Sequence, residues 1–130
     1  MNLYLICAGV LVIFFFAISL NVSRLRVRHN VLIGSDDFTH PLTKAVRAQA
    51  NAAEYVPVLV AIFLYLSIIG TAAWVAWIAV IVTLARLLHC AGMYLSPDLN
   101  KPHPLRLAGA LLTYLGGLAL GILLLARALM

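Results

Sequence analysis

The residues best able to do chemistry in this sequence lie in one short segment, between positions 47 and 55. On a helix, which turns about 100° per residue, four of them share one face: Arg47, Asn51, Glu54 and Tyr55. Gln49 falls on the opposite face. The shared face offers a guanidinium, an amide, a carboxylate and a phenol, and arginine binds carboxylates through paired charge-assisted hydrogen bonds. These groups favour a small zwitterionic, peptide-like ligand that carries extra carboxylates.

The elements that position this segment are predicted to be membrane-spanning helices. The chain has 130 residues, of which 65% are hydrophobic and 10% charged, and its mean hydropathy is +1.07. An average soluble domain is about 45–50% apolar and about 25% charged. Since a membrane helix needs roughly 20 apolar residues, we expect an all-α membrane protein. It would be a single four-transmembrane-helix bundle over residues 1–130, with helices at about 3–25, 42–69, 72–95 and 105–129.

Basic residues predict which side of the membrane each loop occupies. Most of them flank the two long polar loops: Arg24, Arg26, Arg28, Lys44, Arg47, Lys101 and Arg106. The opposite side holds only Arg127, so the positive-inside rule predicts both termini outside and both polar loops in the cytoplasm. On the first helix the charge follows the apolar run, which indicates a retained helix rather than a signal peptide. The net charge of +5 is therefore an orientation signal, and we expect no nucleic-acid partner.

Charged residues inside the predicted spans need an explanation, because each costs about 2.5–3.5 kcal/mol at the bilayer centre. Glu54 could form a structural ion pair with Arg86 or Arg47, or these groups could belong to a binding site. On the third helix three residues share a face: Arg86, His89 and Met93. His89 is compatible with a buried structural histidine and with a site residue.

Two further patterns have plain structural explanations. Cys7 and Cys90 lie inside apolar runs, which is typical of small buried hydrophobic residues, and no metal-binding spacing accompanies them. We therefore expect no metal. Gly117 and Gly121 form a GxxxG motif, which allows close approach of another helix. That helix could belong to the same bundle or to another subunit.

The segment from Arg47 to Pro57 resembles the second-helix signature of the MAPEG family, the membrane-associated proteins in eicosanoid and glutathione metabolism. The likeness is to its microsomal glutathione transferase and leukotriene C4 synthase branches, and to small bacterial members in length and loops. The resemblance implies a homotrimer in the bacterial inner membrane, with glutathione between adjacent subunits. Four residues would hold glutathione: Arg47, Asn51, Glu54 and Tyr55. Gln49 would reach the neighbouring subunit's ligand, and Arg24 or Arg26, with Arg26 favoured, would also contribute.

The resemblance extends less closely to the third and fourth helices. His89 falls where the family has a histidine or tyrosine that lines the site. Met93 falls where relatives have tyrosine, and Tyr94 would replace that group only if the helix rotates locally. Arg106 resembles the arginine that activates the thiol. The implied activity is a membrane-bound glutathione transferase, with glutathione as co-substrate, which conjugates or reduces lipophilic electrophiles dissolved among membrane lipids.

Two other functions fit the same sequence. A non-catalytic MAPEG-like protein would bind lipid or another ligand, and Met93 keeps this alternative open. A small proton-coupled multidrug exporter would also have four short helices and one membrane glutamate. Its carboxylate must titrate, however, and an arginine two turns from Glu54 would hold that carboxylate ionised.

Overall fold

Four long helices form the protein, and the computed structural model describes residues 1–31 and 37–129 of it. They are α1 (Leu3–His29), α2 (Pro41–Ile69), α3 (Ala73–Leu95) and α4 (Pro104–Leu129). Each is long and apolar enough to cross the roughly 30 Å hydrocarbon core of a bilayer. The described chain is therefore the four-helix membrane bundle that the composition predicts.

The helix ends follow local sequence signals, and α1 continues past its predicted end near residue 25. It ends at His29, and the following residue, Asn30, caps it with a left-handed φ of 54°. The N–H of Asn30 donates to the Arg26 and Val27 carbonyls. At the start of α2, the His40 ring nitrogen Nδ1 accepts the N–H of Leu42 at 3.2 Å. Pro41 occupies the first helical position, where its missing N–H is not needed.

The helices pack mainly as two pairs, α1 with α2 and α3 with α4. Small residues let α3 and α4 approach closely. A Cβ added at Gly109 would lie 2.6 Å from the backbone nitrogen of His89, and one added at Gly92 would lie 2.6 Å from the backbone nitrogen of Arg106. The GxxxG pair plays no such part, because nothing lies within 4 Å of a Cβ added at Gly117 or Gly121. Packing within the described chain therefore does not explain that motif.

The two ends of the bundle differ in character. At what we call the basic end, the α1–α2 and α3–α4 loops meet, and the Leu99 N–H donates to the Phe38 carbonyl at 3.3 Å. Here the hydroxyl and N–H of Thr39 both donate to Asp37, which lowers the pKa of that carboxyl. At the opposite end the Tyr4 and Thr71 hydroxyls are hydrogen-bonded. These contacts hold successive helices antiparallel.

The buried core lies along the middle of the bundle, and its largest fully buried apolar side chains include Leu11, Phe63 and Leu66. Cys7 and Cys90 are buried and free. The outward faces are apolar and exposed, as membrane lipid requires. α2 and α4 barely touch, so a groove remains between them.

Candidate functional site

The polar stripe of α2 runs beside the helix face that packs into the bundle. Small residues at positions 45, 48 and 52 are buried against the neighbouring helices. The stripe itself stays accessible: Arg47 and Glu54 are exposed, whereas Asn51 and Tyr55 are half-buried. The four polar residues of α2 therefore share one accessible face, as their spacing predicts, and the buried face lies beside it.

Arg47 lies at the basic end of the stripe. Its guanidinium carbon is 5.8 Å from the centroid of the Phe38 ring, which belongs to the α1–α2 loop. This cation–π contact leaves the guanidinium exposed, so its donors can still bind an anion.

Arg86 of α3 is the most deeply buried charged side chain of the described ranges, with 2% of its surface exposed. Its Nη2 donates a hydrogen bond to Oδ1 of Asn51. The guanidinium carbon also lies 4.7 Å from the centroid of the Tyr55 ring. From the interior of the bundle, Arg86 thus contacts two of the four predicted ligand-binding residues, Asn51 and Tyr55.

Glu54 forms no ion pair with any residue that the structure describes. The structural alternative, in which Glu54 pairs with Arg86 or Arg47, is therefore wrong for this structure. Arg86 turns to an amide instead, and Arg47 turns to an aromatic ring. The Glu54 carboxylate is left exposed, where it can accept hydrogen bonds from a cationic group of a ligand.

A groove of about 520 Å³ opens beside Glu54, between α2 and α4. Its walls are mostly apolar and include Val58, Ile62 and Leu118. Near Glu54 the Tyr55 hydroxyl donates to the Tyr114 hydroxyl at 3.4 Å. The groove therefore joins a polar end to a long apolar channel, and it is large enough for a small lipophilic molecule.

His89 and Arg106 line a second and smaller pocket of about 260 Å³ at the start of α4. The His89 ring nitrogen Nδ1 lies 2.9 Å from the Arg106 carbonyl oxygen. Because a carbonyl can only accept, Nδ1 carries the proton. The Arg106 guanidinium donates to the Leu99 and Lys101 carbonyls at 2.9 and 3.3 Å. Arg106 therefore also fastens the α3–α4 loop.

The remaining predicted residues lie apart from the groove. The Tyr94 hydroxyl accepts a hydrogen bond from Nδ2 of Asn21 at 3.1 Å, so Tyr94 faces α1. Met93 is buried in the core, and the local rotation that would bring Tyr94 into its place is not seen. Arg24 and Arg26 are exposed on the last turns of α1, and Gln49 is half-buried.

One chain therefore divides the predicted residues between locations. Glu54 and Tyr55 line the groove, whereas His89 and Arg106 line a different pocket. Asn51 lies one helical turn before Tyr55 and is bonded to Arg86. Sequence reasoning missed Tyr114, which pairs with Tyr55. A signal was present, because Thr113 and Tyr114 are the only polar side chains between Arg106 and Arg127.

Comparison with known proteins agrees with this architecture. The sequence profile of the MAPEG family matches residues 4–126, which is nearly the whole chain. The chain belongs to the MAPEG family. It is also 34% identical over 93 residues to inner membrane protein YecN of Escherichia coli strain K12. That match covers 71% of this chain and 68% of YecN, and YecN of strain O6:H1 (CFT073) matches equally. This MAPEG member is thus a multi-pass membrane protein, with four spanning helices in the part of the chain that the structure describes.

Proposed function

We propose that this MAPEG protein is a membrane-bound glutathione transferase. It would conjugate or reduce lipophilic electrophiles with glutathione that is activated as the thiolate. The observation that carries the proposal is the α2 stripe, which presents a guanidinium, an amide, a carboxylate and a phenol on one accessible face. The carboxylate of Glu54 and the phenol of Tyr55 line an apolar groove. Charged termini of a peptide thiol match these groups, and the groove offers room for an apolar second substrate.

The stripe is complementary to glutathione in charge. Arg47 is exposed and has no carboxylate partner in the described ranges, so it can take a ligand carboxylate. Glu54 interacts with the buried Arg86 only through longer-range electrostatic attraction and forms no ion pair within the described ranges, so its exposed carboxylate can take the ligand amine. Charged side chains within membrane helices are energetically costly, and they tend to belong to ligand-binding or transport sites.

Arg106 is the proposed catalytic residue. A free thiol has a pKa of about 8.5, so only a few per cent is thiolate at neutral pH. A guanidinium beside the sulfur would stabilise the thiolate, and lowering the pKa by two units needs about 2.7 kcal/mol. The thiol proton leaves to solvent and the sulfur attacks the electrophile. With an aryl chloride, a carbon–sulfur bond forms and chloride departs.

A homotrimer would unite the two groups of residues that a single chain separates. We infer that glutathione lies between subunits, held by the α2 stripe of one subunit and by Gln49 of the next, with Arg106 of that next subunit beside the sulfur. Arg24 and Arg26 are both exposed, so either can reach a ligand at such an interface. The polar loops would face the cytoplasm of a bacterial inner membrane, as the basic end and the similarity to YecN suggest.

A second candidate is a MAPEG protein that binds a lipid-like ligand without catalysis. Two observations favour it: Met93 is buried where the family resemblance implies tyrosine, and the Arg106 guanidinium is held by loop carbonyls. The multidrug exporter loses support, because the chain belongs to another family.

A conjugation assay separates the two candidates. Purified protein in detergent is mixed with glutathione and an activated aryl chloride, and the thioether product is followed by absorbance. A transferase gives turnover that saturates with glutathione and exceeds the rate without protein. Saturable glutathione binding with no turnover for aryl chlorides or lipid hydroperoxides would contradict catalysis and support the binding protein.

A further inference from the structure

Arg86 is an unusual group to find in the centre of a membrane bundle. It is 2% exposed, and no carboxylate within the described ranges forms an ion pair with it. Its Nε is buried and has no hydrogen-bond partner among the described residues. An ionised group in such a place is expensive unless it does something that an apolar side chain could not do.

The partner of Arg86 shows what that role is. Nη2 donates to the Asn51 side chain, and a guanidinium has only donors. The atom of Asn51 that faces Arg86 must therefore be the carbonyl oxygen, whichever way the amide is drawn. The amide nitrogen of Asn51 makes no hydrogen bond to any described residue.

This hydrogen bond fixes the orientation of the Asn51 side-chain amide. Asparagine normally offers both donors and an acceptor. Here the acceptor is turned inward to a cation, and the half-buried side chain has its two N–H donors left. Those donors lie one helical turn from Arg47 on the same face, so both groups present donors to a ligand.

We propose that Arg86 is a positioning residue that fixes the Asn51 amide, so that α2 presents only donors to the carboxylate side of its ligand. Arg86 also packs against the Tyr55 ring and thereby holds the phenol beside the groove. The proposal rests on the proposed function, because it assigns Asn51 to a carboxylate or carbonyl of glutathione. The acceptor Glu54, one turn further along, is left for the ligand amine.

The decisive substitution is Asn51→Asp. If Arg86 only fills space, a new carboxylate in the bundle should destabilise the protein. If Arg86 holds the side-chain oxygen, the substitution gives the buried cation an ion-pair partner and removes the two N–H donors. We therefore expect Asn51→Asp to melt no earlier than wild type in the same detergent. We expect its affinity for glutathione to fall at least about tenfold, because a donor is lost and a like charge is added.

The same substitution in an Arg86→Met background completes the test. There the carboxylate loses its buried cation and keeps only the exposed Arg47 one turn away, so Asn51→Asp should lower the melting temperature. Asn2→Asp is the matched control at the opposite end of the bundle, where aspartate also caps a helix and only a long, exposed bond from Nδ2 to the Ser67 carbonyl (3.5 Å) is lost. It should change the melting temperature little and leave glutathione affinity unchanged. Arg86→Lys keeps a buried cationic donor, and it should retain more glutathione affinity than Arg86→Met.

The outcomes are separable from those of the proposed function. If Asn51→Asp lowers the melting temperature equally with and without Arg86, the positioning role is overturned. The same holds if Asn51→Asp binds glutathione as tightly as wild type. If wild type itself fails to bind glutathione, the proposed function falls, and the melting comparison still decides whether Arg86 fixes Asn51. If Arg86→Met fails to fold, the single Asn51→Asp variant decides through its melting temperature and its affinity.

Discussion

The close contact between α3 and α4 predicts that Gly109→Ala destabilises the protein. The new Cβ would lie 2.6 Å from the backbone nitrogen of His89 and 2.7 Å from the Ala85 carbonyl oxygen. Ordinary van der Waals contact begins at 3.4 Å, so α4 must move by about 0.8 Å. Because the opposing atoms are backbone, no side-chain rotation can relieve the contact.

The expected cost of Gly109→Ala is about 1–3 kcal/mol, the range for overpacking a close-packed interior. For a chain of this size, that corresponds to a melting temperature lower by very roughly 3–15 °C. The displaced helix carries Arg106, whose carbonyl is bonded to His89 at 2.9 Å, so the small pocket should also be disturbed.

The assay is thermal unfolding in detergent, followed by circular dichroism, with Gly9→Ala in α1 as the control. Nothing lies within 4 Å of a Cβ at Gly9, and alanine is the better helix former. Gly9→Ala should therefore melt at or slightly above the wild-type temperature. A melting temperature of Gly109→Ala equal to that of wild type would refute the close α3–α4 contact.

Two further predictions concern residues whose hydrogen bonds the structure defines. Arg106→Ala should retain glutathione binding. Without the guanidinium, the pKa of the bound glutathione thiol should return from about 6.5 to about 8.5, so the thiolate fraction at pH 7 should fall about 25-fold. Arg106→Gln controls for the loop, because its amide can still donate to the carbonyls, and unchanged turnover in both variants would remove Arg106 from the mechanism. Tyr94→Phe should lower stability by about 1 kcal/mol, because Asn21 loses its acceptor. If Tyr94→Phe unfolds at the same denaturant concentration and temperature as wild type, the Asn21–Tyr94 hydrogen bond contributes nothing to stability.

The sequence predicted the bundle well because hydropathy has a single physical cause. Backbone groups in lipid must be satisfied within a helix, so long apolar runs report membrane spans directly. The helix end at His29 was harder to predict, because arginine side chains can reach the interface from a helix that continues. The polar stripe of α2 could be predicted for a similar reason, since helical spacing alone puts its members on one face.

Pairing between helices was beyond the reach of one sequence. Arg86 can contact an acid, an amide or an aromatic ring, and only the relative rotation of α2 and α3 selects Asn51 and Tyr55. Tyr94 and Met93 are neighbours in sequence, yet helix rotation sends Tyr94 to α1 and leaves Met93 in the core. Helical spacing fixes which residues share a face, whereas the partner of that face depends on packing.

Titration of the purified wild-type protein with glutathione by calorimetry would show whether the α2 stripe binds this thiol. We expect saturable binding that weakens about 10- to 100-fold in Glu54→Gln, which keeps the shape of the side chain and loses the charge that takes the ligand amine. Equal affinity in wild type and Glu54→Gln would remove Glu54 from the site. No saturable heat with wild-type protein would contradict glutathione binding by the α2 stripe altogether.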